Sequence, residues 1–67
     1  GMHEDAITIY RMNLERFPES ASIWAGIGES YEALEDIPAA IEAFEKVVEL
    51  APRWTAMKDH LAELKGE

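Results

Sequence analysis

Two prolines 34 residues apart, Pro18 and Pro52, constrain this chain more than any other feature. Proline inside a helix removes a donor and clashes with the preceding turn, so no helix runs through either position. A third break lies at Glu35-Asp36-Ile37-Pro38. There Asp36 can cap a new helix whose first turn holds the proline. Ser20 can cap the segment after Pro18 in the same way, whereas Arg53 and Trp54 offer no good capping side chain after Pro52.

Each of the four segments carries a helical period. Trp24, Ile27, Gly28, Tyr31 and Leu34 recur at the spacing of one helix face, and Ile37, Ala40, Ile41, Phe44, Val47, Val48 and Ala51 do the same. Ala6, Ile7, Tyr10, Leu14 and Phe17 mark the first segment; Trp54, Met57, Leu61 and Leu64 mark the last. Strict alternation is absent, and the good helix formers Ala and Glu dominate. The pattern predicts helices over residues 4–17, 21–34, 37–51 and 54–65, joined by connections short enough to make neighbours antiparallel. An all-α fold in a single domain spanning 1–67 is expected.

Composition narrows the function. The chain has 67 residues and no cysteine, which excludes a disulfide framework and a Cys-based zinc site. Two histidines, His3 and His60, are too few for a His-rich metal site. Apolar runs are too short for a transmembrane helix or a signal-peptide core, so a cytoplasmic location is expected. Six Lys and Arg against fourteen Asp and Glu give a net charge of −8, which repels phosphate backbones and anionic lipid. Nucleic acid and membranes are therefore not expected partners. The 48% hydrophobic content is that of a folded unit, not an acidic tail.

An offset of 34 aligns the chain with itself. Ala6 pairs with Ala40, Ile7 with Ile41, Glu15 with Glu49, Pro18 with Pro52 and Glu29 with Glu63. Tyr10 and Phe44, Leu14 and Val48, Ile27 and Leu61, and Gly28 and Ala62 are conservative matches on the periodic positions. At this period Ala21-x-x-Trp24-x-x-Ile27-Gly28-x-x-Tyr31, then Ala40-x-x-x-Phe44 and Pro52, resembles the tetratricopeptide repeat. The resemblance covers Ala21 to Trp54. It implies an antiparallel helix pair in an α-solenoid, in which small Gly28 and Ala40 let the helices approach and Trp24, Tyr31 and Phe44 fill the space between pairs. Residues 4–17 look like the second helix of a preceding repeat, and 54–65 like the first helix of a following one. Departures are Glu35 where a turn glycine is usual, Asn13 where a small apolar residue is expected, and Lys58 where a tryptophan would pack. Lys58 makes the last helix a polar cap, with Met57, Leu61 and Leu64 inward and Lys58, Asp59, Glu63 and Lys65 outward.

Gly1 reads as a cloning scar ahead of Met2, so the chain is expected to begin in mid-repeat, naturally or by truncation. The first helix carries Ile7, Ile9, Tyr10 and Met12 on more than one side. These residues are expected to self-associate into a homo-oligomer, since fewer than about three repeats is a marginal array. The bland alternative is a monomer with exposed Ile9 and Met12; another is a piece of a larger array.

No catalytic set emerges. Gly26 and Gly28 lie within a helical segment with no preceding strand and no following lysine, so they form no phosphate loop. Ser20, Ser22 and Ser30 have no histidine partner nearby, and His60 with Glu63 one turn away is a single pair, too little for a metal site. No cofactor and no enzymatic activity are expected. The family resemblance implies a peptide-binding groove instead, on Ser22, Ala25, Gly26, Glu29, Glu32 and Ala33 of the second helix and Ala56, Asp59, His60 and Glu63 of the fourth. The basic clamp with which some members hold a terminal carboxylate is absent from these positions. Glu29 and Glu63 would stack one repeat apart into an acidic column; the plainer reading is a solvated acidic face, and the functional one is a groove for a basic or mixed basic–apolar protein segment. Glu42 and Lys46 make a helical ion pair of no further purpose. The expected function is protein–protein interaction, with a structural self-association element as the alternative.

Overall fold

The computed structural model describes residues 1–67 and contains four α-helices and no strand. They are α1 (Met2–Arg16), α2 (Ala21–Ala33), α3 (Ile37–Leu50) and α4 (Thr55–Lys65). Each packs on the next along the chain, with the most extensive contact between α2 and α3. α1 starts at Met2, earlier than its apolar period, because the acidic first turn suits a helix N-terminus. The Gly1 ammonium bonds Glu4 Oε1 at 2.8 Å, which holds the Glu4 carboxyl below its ordinary range.

The turns follow from local chemistry. Ser20 Oγ accepts from the Ile23 N–H and Asp36 Oδ1 from the Ala39 N–H, so both capping residues act as read from the sequence. Trp54 begins α4 without a side-chain cap. Phe17 and Ala51, each just before a proline, adopt nearly the same conformation, with φ of −133° and −136°. Their N–H groups close on Asn13 O and Val47 O. One turn is thus built twice, 34 residues apart.

Between α2 and α3 the chain reverses through a Schellman motif. Glu35 N–H donates to Glu32 O and Asp36 N–H to Tyr31 O, both at 2.9 Å. The motif needs a left-handed residue, and Glu35 takes φ 62° without being glycine. Gly66 performs the same step after α4 with φ 79°. Replacing Glu35 with Gly should remove the Cβ penalty and, net of the extra freedom gained by the unfolded chain, stabilise the fold by about 0.5–1 kcal/mol. A thermal melt checks it, and a lowered midpoint would contradict it.

The core forms where α2, α3 and α4 converge. Ala40, Phe44 and Val47 are fully buried, and Ala25 and Leu61 complete the cluster. Trp24, Tyr31, Met57 and Leu64 pack around it, half-buried. Ile27, at 2% exposure, and Ala43, at 3%, lie between α2 and α3. Gly28 has no side chain because the Phe44 ring occupies that space: a Cβ there would sit 2.8–3.0 Å from the far edge of the ring.

Two expectations are corrected by this packing. Ile7 is buried, and the Tyr10 ring lies where a Gly26 Cβ would come within 2.5 Å of it. Ile7 is thus enclosed by the chain itself, and Tyr10, half-buried against α2, leaves only part of its ring open to a partner. The opposite side of α1 is open, with Ile9 58% and Met12 62% exposed.

Candidate functional site

The expected groove residues separate into three groups. Ser22, Glu29 and Ala33 on α2, and Ala56, Asp59 and Glu63 on α4, are exposed. Ala25 is 5% exposed and belongs to the core. At about 100° per residue it shares a row of α2 with Glu32, seven positions on, and that row faces α4. Gly26 is buried beneath Tyr10. Glu29 instead borders a shallow depression of about 320 Å³ with His3, Ala6 and Tyr10 of α1.

Glu32 and His60 are committed to each other. His60 Nε2 and Glu32 Oε1 are 2.6 Å apart, joining α2 to α4, and Nδ1 lies 3.9 Å from Glu63 Oε2. The imidazole also sets its plane at 85° to the Phe44 ring, with centroids 5.2 Å apart. By the 34-residue offset His60 corresponds to Gly26, and Phe44 to Tyr10, so both rings address the same place on the following helix. His60 is therefore a structural bridge with one polar edge on the candidate groove. No cluster of three or more His, Cys, Asp and Glu is arranged to hold a metal ion.

Several charged contacts differ from expectation. Lys65, expected outward, bonds Glu45 of α3 at 3.0 Å, which raises its pKa above the ordinary lysine value and ties the end of α4 down. Lys46 approaches Glu49 at 3.6 Å and not Glu42. No lysine or arginine pairs with Glu29, Glu32, Asp59 or Glu63. The acids of the α2–α4 face thus keep their charge uncompensated by any strong cation.

Sequence reasoning missed a second concavity. It is a cleft of about 330 Å³ between α1 and α3, roofing α2. Ile27 and Ala43 form its floor; Leu14, Trp24, Tyr31 and Ala39 form its walls. Arg11, Glu42 and Lys46 stand at its rim. The Arg11 guanidinium donates to the Tyr31 hydroxyl at 2.6 Å, a contact across 20 positions that no periodicity encodes.

Four helices in consecutive contact, with one inter-pair turn repeated at a fixed interval, define an α-helical repeat protein. Residues 21–53 match the tetratricopeptide repeat family model, and the chain carries a tetratricopeptide repeat there. Neither the curated proteins nor the solved structures yield a match. No helix is long and apolar enough to cross a membrane.

Proposed function

We propose that the chain is a protein-binding module whose α2–α4 face takes a basic or mixed basic–apolar segment of a partner, with no catalytic step. Tetratricopeptide repeats are in general protein-interaction elements, which supports the class of function. The observation that carries the finer reading is the absence of any lysine or arginine partner for Glu29, Glu32, Asp59 and Glu63. Uncompensated charge on one face attracts and orients an oppositely charged partner. Glu32 is fixed by His60 and Glu63 only skirts the ring at 3.9 Å, so Glu29, Asp59 and the exposed Glu63 are the side chains left to pair with a partner.

A second reading has its own observation. Ile9 occupies the position on α1 that Ala43 holds on α3, yet it is 58% exposed where Ala43 is 3% exposed. Met12 adds to the same open strip, and a second copy could cover it. One experiment separates the readings: light scattering on the chain alone, then titration with a labelled, end-blocked Lys/Leu peptide followed by anisotropy. Under the first reading the mass stays near 7.5 kDa. The triple variant Glu29→Lys, Asp59→Lys, Glu63→Lys then weakens the peptide by at least about tenfold. Twice that mass, lost on Ile9→Glu with Met12→Glu, would favour the second. Peptide binding untouched by the triple variant would sink the first.

A further inference from the structure

We propose that the α1–α3 cleft is a second binding site, for a partner segment that places a leucine- or phenylalanine-type side chain beside an acidic one. Its location separates it from the acidic face. Trp24, Ile27 and Tyr31 lie on the side of α2 opposite Ser22, Gly26, Glu29 and Ala33, at about 100° per residue. A ligand in one site leaves the other open.

The cleft's chemistry selects the ligand. Its volume of about 330 Å³ accepts one or two side chains and not a whole helix. Ile27, Leu14 and Trp24 offer an apolar socket for the first of them. The rim is positive in a chain of net charge −8, since Arg11 and Lys46, two of only six Lys and Arg, stand over the same opening. Arg11 has fourteen acidic residues to choose from, yet it makes no ion pair. It is held by a neutral partner, the Tyr31 hydroxyl, at 2.6 Å. That contact uses one of the guanidinium's donors, leaves the others and the full charge unspent, and fixes the fork at the cleft mouth. Tyr31 accepts this bond, so its own O–H is free to donate outward. At the opening these groups meet one carboxylate, Glu42, and Lys46 also leans on Glu49 at 3.6 Å, so Arg11 and the Tyr31 hydroxyl are the donors left without an anionic acceptor. An anion next to an apolar group satisfies this arrangement, and a lysine-bearing ligand does not.

The test uses Trp24 as reporter in a Trp54→Phe background, titrated with a short end-blocked peptide of alternating Leu and Glu. Blocking removes the terminal carboxylate, so only side-chain acids are read. The Glu peptide should shift Trp24 emission, while Gln and Lys versions should need at least about tenfold higher concentration to produce the same shift, whatever the Lys version does at the acidic face. Arg11→Glu and Lys46→Glu should each weaken the Glu peptide by a similar factor; Glu29→Lys, on the far side, should not. Circular dichroism confirms folding of each variant, and Arg11→Gln stands in if Arg11→Glu unfolds. No Trp24 response to the Glu peptide, an equal Trp24 response to the Lys version, or indifference to both cation variants overturns the proposal. Binding of the Lys peptide that is lost on reversing Glu29, Asp59 and Glu63, with Trp24 emission unmoved, belongs to the acidic face, and the cleft is then judged on the Glu peptide alone.

Discussion

Phe44→Ala is expected to abolish the cooperative thermal transition or to lower its midpoint by at least about 12 °C. The ring is fully buried, fills the space above Gly28 and meets His60 edge to face. Truncating a buried phenylalanine costs about 3–5 kcal/mol in lost transfer energy and residual cavity. A chain of 67 residues has a total stability of only about 3–10 kcal/mol. The substitution therefore removes a third of that stability or more. In a domain this small each kcal/mol shifts the midpoint by about 4–8 °C. A far-ultraviolet circular dichroism melt decides it, and a shift below about 5 °C would mean that the core has another keystone.

The second large effect contrasts two glycines on the same helix. Gly28→Ala should destabilise by about 1–3 kcal/mol, even though alanine is the better helix former by about 1 kcal/mol. Its Cβ would press to 2.8–3.0 Å against the Phe44 ring, which is enclosed on all sides and cannot yield. Gly26→Ala meets an even shorter approach, 2.5 Å to the Tyr10 ring. Tyr10 is only half-buried, however, so it can swing toward solvent, and the helix-propensity gain offsets most of the cost. Gly26→Ala should stay within about 1 kcal/mol of the parent while loosening α1. Denaturant unfolding measures both free energies, and hydrogen exchange in α1 reads the loosening. Equal losses at the two sites would show that Tyr10 is held as firmly as Phe44.

The proposed sites divide along the same line between rigid and adjustable parts. Arg11 is held at the cleft mouth by Tyr31, whereas Glu32 is spent on His60, so the cleft has a preset charged group and the acidic face relies on adjustable ones. Preset groups lose less freedom on binding, which favours affinity from few contacts. Ligands of opposite charge on opposite sides of α2 would let one small chain bridge two partners.

What the sequence determined by itself is local: four helices, their caps and breaks, and the repeat register. Proline geometry, capping oxygens and the helical period act within a few residues, so Pro18, Ser20, Asp36 and Pro52 could be read directly. The 34-residue offset carried the register further, placing Tyr10 and Phe44 in equivalent roles. Periodicity marks which residues turn away from water, but a helix inside a repeat has neighbours on several sides. It does not say which neighbour each side meets. Periodicity therefore places Ala25 in the groove although its row faces α4, and Ile7 and Tyr10 on an open surface that α2 in fact packs against. The Glu32–His60 bridge, spanning 28 positions, and the Arg11–Tyr31 contact, spanning 20, exist only once the helices have docked. So does the α1–α3 cleft. Its floor, walls and rim come from three helices, and side-chain packing between helices, not propensity within any one of them, sets how far apart those walls stand.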